Sequence, residues 1–192
     1  MAVEAVVFDV GETLIDETPH WTLVAEAAGV PPLTLMGVMG GLIARGRDFT
    51  EVWDVLGVAR PEGTFAMDAW YDDALPCLAR LREAGYRVCA CGNTPRRAED
   101  LVGPYVDATA SSAGWGVRKP SPAFFERIAG LAGVEPAKIA YVGDRVDNDI
   151  EPALATGMVA VHIRRGPWGY LDEPPAAAIR IHSLDELPAV LP

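Results

Sequence analysis

Aspartates stand directly after two short apolar runs of this chain, at places where strands of a parallel sheet would end. Asp9 follows residues 6–8, and Asp144 follows residues 139–142 after one intervening glycine. Beside a divalent cation, a carboxylate in such a place can attack phosphorus and form a covalent aspartyl phosphate. Asp9 is therefore the candidate nucleophile, unless it only caps the following turn or pairs with Lys119.

A second acid follows Asp144 in the pattern Gly-Asp-x-x-x-x-Asp, which ends at Asp149. Proteins commonly hold Mg²⁺ through one or two carboxylates, completed by water and substrate oxygens. We therefore predict a Mg²⁺ site at Asp9, Asp144 and Asp149, to which Gly11 would add its backbone carbonyl oxygen. Asp149 could instead be a charge that complements the dipole of the next helix. Lys119 would offset the crowding of the carboxylates, unless it is a surface residue.

The segment Gly92-Asn93-Thr94 ends another apolar run, and it is the candidate site for a substrate anion. Backbone N–H groups in a turn and at a helix N-terminus can hold an anion. Thr94 could add a hydroxyl group, although its position before Pro95 favours a role as the cap of the next helix.

The elements that would position these residues alternate along the chain. Short apolar runs predict strands near residues 4–9, 86–91, 107–110, 138–142 and 158–163. Helical patterns lie at residues 74–84, after residue 95, and at residues 122–132 and 148–156. This alternation predicts an α/β fold with a doubly wound parallel sheet, in which ligands bind at the carboxyl ends of the strands. The proline-rich residues 166–175 are predicted to form a surface loop before a short terminal strand and helix.

Residues 17–72 interrupt this alternation, because they contain three helical patterns and no strand pattern. The prediction is an α/β core at residues 1–16 and 73–192 with a small helical domain inserted at residues 17–72. Its large apolar residues could line a pocket or form the domain's own core: Met36, Met39, Trp53, Phe65 and Trp70.

Composition limits the possible partners and the compartment. The 192 residues carry a formal net charge of -11, which disfavours nucleic acid and anionic membranes as partners because both would be repelled. The cysteines are odd in number, and Cys89 and Cys91 share one face of a predicted strand, which favours packing over a disulfide. The first residues lack a basic leader, and no apolar run approaches the roughly 18 residues of a membrane span. A cytoplasmic protein is predicted.

The order of these motifs resembles that of the haloacid dehalogenase (HAD) superfamily, from about residue 6 to residue 166. The resemblance rests on Asp9, the turn at Asn93, Lys119 with the following proline, and the Gly-Asp-x-x-x-x-Asp pattern. It implies a HAD-like Rossmann-type core with a helical cap, and Mg²⁺-dependent hydrolysis of a small phosphorylated metabolite. It also implies that Asp144 is a metal ligand and that Lys119 neutralises both the nucleophile and the phosphate.

The chain departs from the HAD phosphatases at two motif positions. Gly11 stands where they carry a second aspartate as general acid and base, and Gly92 where they carry a serine or threonine. Loss of a general acid or base typically costs about 10²–10⁴-fold in rate, and least when the leaving group is stable as an anion. We therefore expect low activity on alkyl phosphates and higher activity on aryl or acyl phosphates. Glu12 or His20 could carry the proton, although each also has a plain structural explanation.

Two other functions are compatible with these motifs. The dehalogenases of the same superfamily also lack the second aspartate, attack carbon and need no metal, whereas the acidic pattern around Asp144 favours a metal. Alternatively, the protein is a catalytically weak HAD-like chain that binds a ligand or a protein partner.

Overall fold

Helices and strands alternate through most of the chain, for which a computed structural model describes residues 2–64 and 66–192. The strands are β1 (Ala5–Phe8), β2 (Arg87–Gly92), β3 (Ala108–Ser111), β4 (Ile139–Gly143), β5 (Val159–Ile163) and β6 (Ile179–Ile181). The helices are α1 (Thr18–Ala27), α2 (Pro32–Ile43), α3 (Val52–Leu56), α4 (Ala74–Glu83), α5 (Arg97–Val102), α6 (Ser112–Trp115), α7 (Pro122–Ala132), α8 (Glu151–Ala155), α9 (Gly166–Leu171) and α10 (Leu187–Val190).

The six strands form one parallel sheet in the order β3-β2-β1-β4-β5-β6. β1 lies between β2 and β4, so that Val7 pairs with Cys89 on one side and Tyr141 on the other. All four residues of β1 are buried, as expected for a strand that is covered on both faces. The prediction of a doubly wound α/β fold is confirmed, and the carboxyl ends of β1, β2 and β4 meet at one edge of the sheet.

Helices cover both faces of this sheet. On one face α4 contributes residues at helical spacing, Ala74, Cys77, Leu78 and Leu81, which pack against Phe8 of β1. On the other face α7 and α8 pack against the alternate residues of the same strands. The cysteines of β2 and α4 are buried and form no disulfide, as the sequence predicted.

The chain divides into two compact units. The first comprises Met1–Ile15 and Trp70–Pro192, and the second comprises Asp16–Ala69. The sequence analysis placed the inserted domain at residues 17–72. In the structure, the segment 70–72 belongs to the first unit. The reason is that backbone hydrogen bonds tie this segment to the turn after β1.

The second unit contains α1, α2 and α3 and has its own apolar cluster. Met39 and Trp53, two of the large apolar residues singled out above, belong to this cluster, whereas Phe65 lies outside the described residues. No described helix is by itself long and apolar enough to cross a membrane. The bent pair of α1 and α2, at 112° to each other, reaches the length and composition of a span only when taken together.

Near proline residues, one local prediction was wrong and another was correct except for the type of its first turn. The stretch 166–175 begins with helix α9, because Pro167 occupies a first-turn position, where a proline disrupts no helical hydrogen bond. The helix predicted at residues 148–156 begins as a π turn at Val146–Ile150 before α8. Pro152 has no N–H for the regular α-helical hydrogen bond, which permits this wider turn.

Candidate active site

Three aspartates lie together at the carboxyl edge of the sheet. Asp9 follows β1, and its N–H donates to the carbonyl oxygen of Val142 at 2.8 Å, which holds it beside the end of β4. Asp144 follows β4 directly. One carboxylate oxygen from each of Asp9, Asp144 and Asp149 lies within 4.8 Å of the others, and all three residues are buried. The structure therefore brings together the side chains that the sequence proposed as metal ligands.

Lys119 is buried within this cluster and is not a surface lysine. Its Nζ atom donates to Asp9 Oδ1 at 2.6 Å and to Asp149 Oδ1 at 2.5 Å. Burial alone would lower the pKa of Lys119, but the carboxylates of Asp149 and Asp9 outweigh it and raise the pKa above its ordinary value. The ammonium group therefore remains charged at neutral pH, directly beside the candidate nucleophile.

The cluster holds more negative charge than Lys119 can balance. Burial raises the pKa of Asp9 to about 6, with Lys119 opposing this shift and the charge of Asp149 adding to it. The pKa of Asp144 is well above its ordinary value, because of burial and the nearby charges of Asp149, Asp9 and Glu12. Asp144 Oδ2 is buried and has no hydrogen-bond partner among the described residues. A hard divalent cation such as Mg²⁺ fits this excess of carboxylate oxygen.

The position of Asp149 depends on a glycine in the same motif. A Cβ atom on Gly143 would lie 2.5 Å from Asp149 Cγ, so only glycine allows this approach. Asp149 Oδ1 accepts from Lys119, and Oδ2 accepts from the backbone N–H of Arg145 at 3.1 Å. Both oxygens of Asp149 therefore have protein donors, which makes it a partner of Lys119. Asp144, in contrast, has a buried oxygen, Oδ2, without a hydrogen-bond partner among the described residues.

Tyr141 is a residue of this cluster that the sequence analysis missed. It is fully buried in β4, and its hydroxyl accepts from Lys119 Nζ at 3.1 Å. The same hydroxyl lies 3.3 Å from Asp149 Oδ1, to which it can donate. A tyrosine in an otherwise apolar central strand was the available signal, because a buried tyrosine hydroxyl usually needs a partner.

The loop after β2 is tied to Lys119 by its asparagine. Asn93 Oδ1 accepts from the backbone N–H of Lys119 at 2.8 Å, and Asn93 Nδ2 donates to the Lys119 carbonyl oxygen at 3.1 Å. Gly92 approaches the nucleophile closely, since a Cβ atom there would lie 2.5 Å from Asp9 Oδ1. The absence of a side chain at position 92 is therefore linked to the observed position of Asp9.

The prediction that Thr94 caps the following helix was wrong. Helix α5 begins only at Arg97, and its N-cap residue Arg96 makes no side-chain capping bond. Thr94 Oγ1 is buried and has no hydrogen-bond partner among the described residues. Thr94 lies two positions before the cap residue Arg96, because the chain makes another turn after Pro95 before it becomes helical.

Gly11 and the two candidate proton carriers, Glu12 and His20, lie in different settings. Gly11 is half-buried in the turn after β1, where it pairs with Ile15 in an isolated bridge. Glu12 has a left-handed backbone with φ of 51°, and its Oε2 accepts from the Tyr71 hydroxyl at 2.6 Å. His20 belongs to the second unit, where its Nδ1 lies 3.1 Å from the carbonyl oxygen of Ala66. Glu12 is therefore bound within the first unit and is not part of the three-aspartate group.

Comparisons with known sequences support the family that the motifs indicated. A family model described as haloacid dehalogenase-like hydrolase matches residues 35–157, more than half of the chain. A glyceraldehyde 3-phosphate phosphatase of Methanopyrus kandleri is 38% identical over 117 residues, 58% of this chain and 50% of the relative. Haloacid dehalogenase-like hydrolase domain-containing protein 3 of Bos taurus is 38% identical over 154 residues, 76% of this chain and 51% of the relative. The chain thus spans about half the length of these relatives.

Solved structures share the fold at lower identity. A HAD phosphatase from Thermococcus onnurineus has a TM-score of 0.64 at 22% identity, with 98% of this chain and 97% of that chain covered. A 2-haloacid dehalogenase from Pseudomonas syringae pv. Tomato DC3000 has a TM-score of 0.63, also at 22% identity, with 98% and 97% covered. The fold is therefore shared by phosphatases and dehalogenases and does not separate the two activities. From the family match and the cluster at Asp9, we conclude that the chain belongs to the haloacid dehalogenase-like hydrolases.

Proposed function

We propose that this chain is a Mg²⁺-dependent phosphatase, which transfers the phosphoryl group of a small phosphorylated metabolite first to Asp9 and then to water. The observation that carries the proposal is the buried contact of Lys119 with Asp9, beside the Asp144 Oδ2 atom that has no hydrogen-bond partner among the described residues. This contact supports the proposal, because a carboxylate that could act as nucleophile, a fixed cation and acids that could hold a metal ion lie within one cluster. Relatives that are named glyceraldehyde 3-phosphate phosphatases support a phosphate ester as the substrate.

The metal site of the proposal consists of Asp9 and Asp144, with the Gly11 carbonyl oxygen and Asp149 as further ligands. When bound there, Mg²⁺ would supply positive charge to the oxygens of the transferring phosphoryl group. Asp144 fits this role because its buried Oδ2 has no protein partner among the described residues. Asp149 has two protein donors already, so its first effect is to orient Lys119.

The chemical steps use residues of the chain itself. Asp9 Oδ1 is bound by Lys119, so the other oxygen of the carboxylate would attack phosphorus. The bond from phosphorus to the leaving oxygen breaks, and the leaving group departs with that electron pair. A water molecule then attacks the phosphorus of the aspartyl phosphate, which releases phosphate and restores Asp9. Lys119, the backbone of Gly92 and Asn93, and the Thr94 hydroxyl form the proposed phosphate clamp.

Position 11 is glycine, so no carboxylate at that position can donate a proton to the leaving group. Glu12, the nearest acid along the chain, accepts a hydrogen bond from Tyr71. We therefore propose that the reaction depends on leaving groups that are stable as anions, with aryl and acyl phosphates hydrolysed faster than alkyl phosphates. The expected difference is about 10²-fold or more, the usual contribution of a general acid.

A metal-dependent phosphatase assay tests this proposal. Wild type should hydrolyse p-nitrophenyl phosphate and acetyl phosphate with Mg²⁺ and lose this activity in EDTA. Asp9→Asn should lower the activity by at least about 10³-fold, since it removes the nucleophile. Asp147→Asn is the matched control, because Asp147 belongs to the same motif but its side chain is 60% exposed. Equal rates for aryl and alkyl esters, or full activity in Asp9→Asn, would contradict the proposal.

Two alternatives give different results in the same assay. A dehalogenase would release halide from a 2-haloacid in EDTA; the crowded carboxylates around Asp144 argue against this, because they favour a metal. A binding protein without catalysis would show no turnover on any ester, while Mg²⁺ would still raise its melting temperature through the carboxylate site.

The remaining parts of the proposal concern the second unit and the compartment. We propose that Asp16–Ala69 acts as the substrate-selecting cap that was predicted at residues 17–72. The three buried free thiols favour a reducing compartment such as the cytoplasm. Deletion of the second unit should change substrate preference more than it changes the Mg²⁺ requirement.

A further inference from the structure

A pocket of about 390 Å³ lies at the same edge of the sheet as Asp9, at the carboxyl ends of β2 and β3. The loop after β2 and the segment after β3 line it with these residues: Asn93, Thr94, Pro95, Ser112, Ala113, Gly116, Val117 and Arg118. Its volume is within the range of about 300–1,000 Å³ that is usual for small-molecule sites. β2 is the neighbour of β1 in the sheet, so this pocket adjoins the strand end that carries the candidate nucleophile.

Arg118 is an uncompensated cation at this pocket. Its side chain is exposed and makes no ion pair or hydrogen bond among the described residues. Other arginines of the chain do pair with acids, for example Arg80 with Asp185 and Arg165 with Asp73. No aspartate or glutamate lines the pocket. In a chain with 27 acidic and 16 basic residues, the pocket is therefore a local exception to the negative charge.

The pocket and the candidate active site share parts of the chain. Arg118 directly precedes Lys119, whose Nζ contacts Asp9. Asn93 lines the pocket and is hydrogen-bonded to both backbone groups of Lys119. Only one of the two N–H donors of the Asn93 amide is used in these bonds, so the other can serve a ligand. The two sites are therefore held in a defined relation by the same pair of loops.

We propose that this pocket binds a second anionic group of the substrate, a carboxylate or a further phosphate, through Arg118. The proposal rests on the phosphatase function above and names its substrate class, which is small phosphorylated acids. A guanidinium suits this role because its planar N–H groups match two oxygens of a carboxylate or a phosphate at once. Arg118 is thus a specificity-determining residue, separate from the residues that act on phosphorus.

Two phosphate esters that differ in one group provide the kinetic test. 3-Phosphoglycerate carries a carboxylate where glycerol 3-phosphate carries a hydroxymethyl group, and both have a primary alkyl leaving group. The kcat/KM of wild type should favour 3-phosphoglycerate, and Arg118→Gln should reduce this preference about tenfold, the usual effect of one lost charged hydrogen bond. Arg118→Lys should keep part of the preference. Arg96→Gln is the matched control, because Arg96 is exposed nearby and does not line the pocket.

A binding experiment separates this inference from the proposed function. Asp9→Asn removes turnover, so calorimetry with this variant measures the affinity for both esters directly, alone and combined with Arg118→Gln. A comparison of propane-1,3-diol bisphosphate with its monophosphate shows whether a phosphate serves as well as a carboxylate. If Arg118→Gln leaves both the kinetic and the binding ratios unchanged, the inference is wrong. If the binding preference is present but no ester is hydrolysed, the inference holds and the phosphatase proposal fails.

Discussion

The two sides of the candidate active site differ in how firmly their side chains are held. At the ends of β1 and β4, Asp9, Lys119 and Asp149 are buried and joined by charged hydrogen bonds. At the end of β2, Gly92 has no side chain, and Thr94 Oγ1 has no hydrogen-bond partner in the described parts of the chain. The chain thus keeps the charged groups of the motifs, and it has glycine at positions 92 and 11, where the resemblance to HAD phosphatases implies a hydroxyl and a carboxylate. The fold requires the charged groups to be compensated, whereas a missing polar group leaves it intact.

Lys119→Ala tests the firmly held side and should have the largest effect. It leaves Asp9 and Asp149 buried without their cation, which should lower kcat by about 10²–10³-fold and the free energy of unfolding by about 3–5 kcal/mol. Lys138→Ala is the matched control, because Lys138 is the chain's other lysine and its ion pair with Glu4 is on the surface. Surface pairs contribute about 0–1 kcal/mol. Activity assays and urea unfolding measure both variants, and equal losses would show that Lys119 is held no more firmly than a surface lysine.

Gly92→Ser tests whether the less firmly held side can be repaired. The new Cβ atom would meet Asp9 Oδ1 at 2.5 Å and push the nucleophile away from Lys119. We expect kcat to fall by about 10²-fold, the usual cost of a misplaced catalytic group. Gly130→Ser is the control, since a Cβ atom at Gly130 meets nothing within 4 Å. A gain in activity would show that the hydroxyl was the missing part and that Asp9 adapts.

Asp144→Asn tests the charge balance of the cluster, because its effect on the free energy of unfolding should depend on pH. In EDTA, the raised pKa values of Asp9 and Asp144 mean that the folded state binds protons more tightly than the unfolded state. This contribution to stability is fully present below the ordinary pKa of 3.8, and it is lost as the pH rises through the folded-state pKa values, which are about 6 for Asp9 and well above 3.8 for Asp144. Asp144→Asn should therefore be more stable than wild type at pH 8, and this difference should be much smaller near pH 4.

Urea unfolding at several pH values measures this difference. Mg²⁺ should reduce it by stabilising wild type, and Asp147→Asn, which changes an exposed carboxylate of the same motif, is the matched control. A difference that stays constant between pH 4 and pH 8 would contradict the charge crowding inferred from the structure.

Tyr141→Phe should have the smallest effect on the firmly held side. It removes one hydrogen bond to Lys119 while Asp9 and Asp149 still hold the ammonium group. A loss of about 1 kcal/mol is expected, which corresponds to a roughly fivefold lower kcat with little change in KM. Tyr170→Phe is the control, because Tyr170 is 62% exposed. A loss as large as that of Lys119→Ala would mean that Tyr141 acts directly on the substrate.

Sequence patterns predicted the regular parts of the molecule and erred where proline occurs. The strands and the helix at residues 122–132 follow from apolar periodicity, which is a local property. Helix α9 was missed, because proline marks both loops and the first turns of helices. The helix at residues 148–156 was predicted, but not that its first turn is a π turn. Thr94 was assigned to a cap for the same reason, as Thr-Pro is a common helix start and the additional turn after Pro95 leaves no local signal.

The sequence by itself determined that Asp9, Asn93, Lys119 and Asp144 belong to one family pattern, because strand ends and motif order can be read along the chain. Only the tertiary structure decided which atoms meet. The contact of Tyr141 with Lys119 joins residues 22 positions apart, and the bonds of Asn93 to Lys119 span 26 positions. The approach of Gly92 to Asp9 likewise arises only when β1 and β2 pair. Such contacts depend on how the strands are ordered and packed in the sheet, which no local pattern encodes.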